Sequence, residues 1–146
     1  MKLRKIVLIV IAAAAIFYGI YYYIYPPGAK VILNGQEIRV ETAITGQEKQ
    51  KGLSGRTSLA GDRGMIFLFD HAEKYEFWMQ GMLIPLDFIW IKGNTVTDIH
   101  ENVLAQTDTP PAVVEPDEAA DKVLEVAAGT VQRTGIRIGD RVEFKQ

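Results

Sequence analysis

The residues with chemical potential in this sequence are few, and Arg56 and Asp87 are the first pair to consider. A guanidinium holds a carboxylate in a two-point fork, and such a pair can turn a free face toward an anionic ligand. The same two residues also serve as a structural ion pair or as a clamp on a turn at a barrel rim. Glu125 stands between Leu124 and Val126 on an expected strand and points away from both, either as a further ligand-binding candidate or simply to face water. Trp78 shares a strand face with Glu76, opposite Tyr75, Phe77 and Met79. On the open side it would be a platform for a sugar or a peptide; core packing is the more frequent fate of a tryptophan in a small domain.

Metal and hydrolytic chemistry have weaker footings. Met79 and Met82 place two thioethers close in sequence, a donor type suited to Cu(I), and His71 or His100 could add an imidazole. Methionine in apolar strands is also ordinary filler. His100 beside Glu101 is the one plausible general base, with Asp87 as its acid–base partner. Gly52-Leu53-Ser54-Gly55 is not a nucleophile elbow, because the second glycine directly follows the serine. Cysteine is absent, which excludes thiol catalysis, disulfides and thiolate metal sites. No cofactor is expected.

These residues must be positioned by a short chain of β elements. Residues 31–33, the turn Asn34-Gly35 and residues 37–44 read as a hairpin, because both turn residues tolerate positive φ. Thr45 and Glu48 have capping-box spacing, which predicts a short helix over 46–53. Residues 64–69 are continuously apolar, the pattern of a strand buried on both faces. Further strands are expected at 75–79, 87–91, 95–100 and 122–127, with one helical turn over 129–134 closed by Gly135, before 136–144 completes the chain. Residues 102–121 carry three prolines and five acids without periodicity, the mark of a functional or mobile loop. The fold expected is mainly β, a small barrel or sandwich with two short helices.

Residues 6–25 contain no charge, and a helix of that length matches a bilayer core of roughly 30 Å. Lys2, Arg4 and Lys5 precede the run, and Tyr18, Tyr21, Tyr22, Tyr23 and Tyr25 crowd its far end. The positive-inside rule keeps the N-terminus cytoplasmic and sends the rest outward. Residues 1–29 are therefore expected to be a transmembrane anchor with a Pro/Gly spacer. Residues 30–146 would form a domain on the extracytoplasmic or periplasmic side of the inner membrane. A cleaved signal peptide is the alternative, with Ala12 to Ala15 as small residues. The domain has 13 Lys plus Arg against 18 Asp plus Glu. That acidic balance disfavours nucleic acid, whose binding needs phosphate neutralisation.

Several motifs occur in an order that resembles the domain of unknown function family 192. Gly52-Leu53-Ser54-Gly55-Arg56 is similar to its G-L-x-G-R element, Gly64-Met65-Ile66-Phe67 to its G-M-L-F strand, and Phe77-Trp78-Met79 to its F-W-M. Ile84-Pro85-Leu86-Asp87, Val123-Leu124-Glu125, Ala128-Gly129 and Gly139-Asp140 continue the pattern. After F-W-M the family usually has a polar residue and N-T, where this chain has Gln80-Gly81-Met82. The resemblance implies a compact, mainly β fold, often behind a signal or anchor segment, and no particular activity.

The expectation from sequence is a membrane-tethered, non-catalytic binding or accessory domain. Its surface would join Arg56, Trp78, Asp87 and the loop around residues 110–118, and its partner would be an envelope protein or a glycan. A cell-envelope hydrolase and a copper-handling domain are the alternatives. Alkaline phosphatase fused after Gln146 should be enzymatically active in cells; an inactive fusion with the protein present would place the domain inside.

Overall fold

In the computed structural model of the protein, residues 28–105 and 111–146 are described. The anchor expected at 6–25 lies outside them, and among the described residues no helix is long and apolar enough to cross a membrane.

The first hairpin forms as its turn chemistry requires. Strands β1 (Lys30–Leu33) and β2 (Gln36–Ala43) pair antiparallel, with Leu33 opposite Gln36. Asn34 and Gly35 sit at φ 49° and 73°, the left-handed conformation a two-residue turn demands. Strand β3 (Arg63–Glu73) lies parallel to β2, with Val40 opposite Gly64. Parallel neighbours need a crossover of a dozen or more residues. Residues 44–62 supply it and contain helix α1 (Gly46–Lys51).

The chain then makes a small two-stranded sheet from β4 (Phe77–Trp78) and β7 (Val113–Val114). Between these in sequence, β5 (Leu86–Lys92) and β6 (Thr95–Val103) form a second hairpin. Strand β8 (Ala120–Ala127) inserts between β5 and β3, antiparallel to both. Helix α2 (Thr130–Thr134) follows, and β9 (Val142–Lys145) pairs with β1. The main sheet has the order β6-β5-β8-β3-β2-β1-β9. It curls into a half-barrel whose outer edges touch at a bridge between Thr95 and Arg141. Backbone hydrogen bonds from Val96 to Asp140 and from Val142 to Asn94, 3.0 and 2.9 Å, fasten that contact.

Side-chain alternation divides the apolar residues between the two faces. One cluster draws residues from all seven strands, among them Leu33, Val40, Ile66, Ile89, Leu124, Val96 and Val142, and fills the inside of the curl. The other, including Phe67, Phe88, Trp90 and Val123, lies on the outer face and is covered by Leu53, Met79 and Met82. Burial on both faces, expected for 64–69, therefore extends to β5 and β8 as well. The strand expected over 75–79 shrinks to Phe77–Trp78, because β8 already occupies the free edge of β3. The long acidic segment is shorter than expected, since β6 runs on to Val103 and β8 begins at Ala120.

Gly64 permits a close approach of β3 to β8. A Cβ there would stand 2.6 Å from the Glu125 carbonyl oxygen and 3.0 Å from Val126 Cγ1. Gly64→Ala should lower stability by about 1–3 kcal/mol through backbone displacement, read from the urea midpoint. An unchanged midpoint would show that β3 and β8 can part without cost.

Candidate functional site

An open cleft of about 320 Å³ lies between α1 and the β4 segment. Its helical wall is set by local chemistry. Thr45 Oγ1 accepts from the Glu48 N–H at 3.3 Å, while Glu48 Oε2 accepts from the N–H groups of Thr45 and Ile44 at 2.8 and 2.9 Å. These bonds hold the Glu48 carboxyl below its ordinary range. Gly52 ends the helix at φ 48°, and a Cβ on it would touch the Phe67 ring at 3.4 Å. The next turn is tied to the opposite wall, with Ser54 Oγ donating to the Gln80 carbonyl and Gly55 N–H to that of Gly81. Gly81 is itself at φ 71°, and a Cβ there would collide with Ser54 Oγ.

Aromatic rings build most of the rest. Phe67 and Phe77 meet edge to face at 4.9 Å, and Tyr75 stacks on Phe69 at 3.6 Å. Lys49 Nζ sits 4.3 Å from the centre of the Phe69 ring. Trp78 stands at the rim, 49% exposed. It is an exposed rim residue rather than core filler.

At the base is Glu125. The expectation that it faces water fails, because only 5% of it is exposed. Its neighbours across the sheet are Met65 and Phe88, both buried, so the side chain shares their covered outer face. Oε2 is wholly buried and has no hydrogen-bond partner among the described residues. Burial pushes the carboxyl up to about 8, against a smaller opposing pull from Arg56.

Arg56 does not pair with Asp87. Its two terminal nitrogens fork the Glu41 carboxylate at 2.6 Å each. That fork raises the guanidinium pKa and lowers that of Glu41. Asp87 instead accepts backbone N–H groups from Asn102, Gly129 and Val131, at 2.8, 3.2 and 2.9 Å. It clamps the end of β6 to the start of α2. Phe88 faces outward with Glu125, so Asp87, one residue earlier, points to the inner face.

The acid–base pair of His100 and Asp87 is likewise not assembled. His100 lies opposite Phe88, on the outer face, and Nε2 is 3.3 Å from Asp98 Oδ2 rather than beside Glu101. Asp98 also accepts from the N–H groups of Ile99 and Asp117. Burial acts to raise the Asp98 pKa, but these bonds and His100 outweigh it and leave the carboxyl below its ordinary range. His100 does not line the cleft. Nor do the copper candidates converge. Met79 and Met82 pack in the outer apolar cluster, and His71 pairs with Glu73 at an exposed end of β3. Among the described residues no three His, Asp or Glu side chains cluster as metal ligands.

The family described as Uncharacterized ACR, the domain of unknown function family 192, matches residues 29–144. The chain belongs to this family. Two solved structures are similar to the chain. A "putative transcription regulator" from Sinorhizobium meliloti 1021 is 32% identical, covers 80% of this chain and 91% of its own, and superposes with a TM-score of 0.72. A protein of unknown function from Novosphingobium aromaticivorans DSM 12444 is 34% identical over 78% of this chain and 83% of its own, with a TM-score of 0.71. No curated protein matches the sequence. The segments that resemble the family's motifs, 52–56, 64–67, 77–79 and 123–125, include the cleft residues Gly52, Leu53, Ser54, Phe67, Phe77, Trp78 and Glu125. Sequence reasoning missed Lys49 and Phe69, for which the only signal was the aromatic spacing of Phe67, Phe69, Tyr75 and Phe77.

The Glu125 pKa is higher in the folded chain than the ordinary 4.5. The folded state therefore holds the extra proton between about pH 4.5 and 8, and stability falls as pH rises through that window. Glu125→Gln should match the wild type near pH 4.5 and exceed it at pH 8.5, by roughly 5 kcal/mol at most, in urea unfolding followed by circular dichroism. Parallel pH profiles for the two proteins would mean that Glu125 ionises without penalty.

Proposed function

We propose that the chain is a membrane-tethered, extracytoplasmic ligand-binding domain, non-catalytic, with the aromatic cleft as its binding site. The observation that carries this reading is Glu125, a buried carboxyl oxygen without a partner at the base of an open aromatic cleft. A buried polar group left unpaired costs about 1–3 kcal/mol, and a bound ligand group would satisfy it. Concave apolar sites with a few convergent polar groups are the usual form of a small-ligand site. The cleft suits a small molecule, a sugar ring on Trp78, or one side chain of an envelope protein. The uncharged run at 6–25 behind Lys2, Arg4 and Lys5 supports the tether and its direction. The regulator description belongs to the Sinorhizobium relative. Here the excess of acids over bases argues against a nucleic-acid surface.

The hydrolase alternative moves to a different acid. His100 and Asp87 are engaged elsewhere, whereas a carboxyl kept protonated in an apolar site has the character of a general acid. Glu76 lines the same cleft and would be the second carboxylate of a glycan hydrolase.

Native mass spectrometry of the full chain, gently recovered from membranes, tests the binding reading. A reproducible added mass on the wild type, lost in Trp78→Ala, is expected. An added mass equally present in Trp78→Ala would move the site elsewhere. Turnover of wall glycans abolished by Glu125→Gln would favour the hydrolase.

A further inference from the structure

Resting on the reading of the cleft as a ligand site, we propose that it recognises an organic cation, an ammonium or guanidinium on a short apolar stem, with Glu125 as its counter-ion. Three observations converge on that chemistry. The carboxyl at the base is almost wholly buried and unpartnered, so nothing in the protein competes for it. The cation that acts on it is Arg56, whose terminal nitrogens are both committed to Glu41. The walls are aromatic, and ring faces attract cations through their quadrupoles. One of these faces already holds a cation: the Lys49 ammonium lies over Phe69, whose ring also stacks on Tyr75.

Lys49 thus marks where a cation is favoured and would itself be the occupant a ligand displaces. It extends from α1, where it is half-buried against Phe69 while residues 46–48 and 50 are exposed. The remaining charges at the mouth are Lys51 and Glu76, of opposite sign. Exposed charges are screened by salt, while the buried carboxyl is not. Across the sheet Glu125 faces Met65 and Phe88, which carry no charge.

The binding step balances as a proton exchange. The protonated carboxyl gives its proton to solvent and the ligand cation takes its place, so the cleft stays neutral. Burial that disfavours a lone carboxylate tolerates a carboxylate with its cation. Below the folded pKa of about 8, affinity should therefore rise with pH by about tenfold per unit and then level off.

Isothermal titration calorimetry on the full chain, with three probes of matched shape, tests this: phenethylguanidinium, phenethylurea and 3-phenylpropionate. At pH 8 the guanidinium should bind at least tenfold tighter than the urea. Its affinity should fall toward pH 6, with buffer-dependent heats reporting close to one proton released. Glu125→Gln should abolish the preference for charge while retaining urea binding. Lys49→Ala should strengthen guanidinium binding several-fold. Equal binding of guanidinium and urea would overturn the counter-ion role and leave the ligand site standing. Preferred binding of the phenylpropionate, weakened by Lys49→Ala, would overturn it in favour of an anion held at the rim. If no probe binds, the cation inference fails, and the ligand-site reading falls with it only if native spectrometry also shows no Trp78-dependent mass.

Discussion

Strands β5, β8 and β3 are apolar on both faces, and each face has to be removed from water by a different device. The inner face is covered by the sheet itself, which curls until Thr95 meets Arg141. Among the described residues the outer face has no continuous second sheet to cover it. It is tiled instead by the crossover with α1, by the β4–β7 pair and by the segment between β4 and β5. Irregular cover of this kind needs its backbone groups satisfied one by one. The polar side chains of the domain are largely spent on that task. Glu48 closes the start of α1 and Asp98 holds the 117 turn, while on the inner side Asp87 ties α2 to the end of β6.

The same requirement accounts for where the residues that looked catalytic are engaged. A buried carboxylate accepting two or three backbone N–H groups is a structural fastener, and its lone pairs are occupied. Asp87 meets that description fully. His100 is held by Asp98 within one strand and contributes to anchoring the cover rather than to a cleft. Arg56 forks Glu41 across the start of the crossover, binding the turn after α1 to β2. Glu125 is the exception, a carboxyl enclosed by the tiling and used by none of it.

Features decided within a few residues were legible in the sequence. Asn34-Gly35, the Thr45/Glu48 capping box and the Gly135 stop after α2 all depend on local φ/ψ and short-range hydrogen bonds. The double burial of 64–69 was legible too, because an unbroken apolar run has no polar face to show. Pairing across the chain was not. Nothing local distinguishes Glu41 from Asp87 as the partner of Arg56, since 15 residues and the helix α1 separate the true pair. Glu125 was misread for a more instructive reason. Alternation says which way a side chain points but not whether that side is wet, and the rule silently assumes one solvent face. A strand flanked on both sides by doubly buried strands has none. The apolar runs at 64–69 and 88–91, taken together with Val123-Leu124-Glu125-Val126, carried that information.

Energetic cost separates the family-like residues into two groups. Gly64 allows β3 to approach β8, Gly52 lets the chain leave α1 beneath Phe67, and Asp87 satisfies three backbone donors; the fold alone accounts for each. Glu125 and Trp78 have no such account. A glutamine or an apolar residue would fill the Glu125 position without a titrating charge, and a polar residue would leave the Trp78 rim less sticky. An acid buried at a loss in stability, next to a large aromatic exposed at a loss in solubility, gains nothing for folding. Both are adjacent to one cleft. Two separate departures from good folding practice at a single place are what the proposed ligand site would account for.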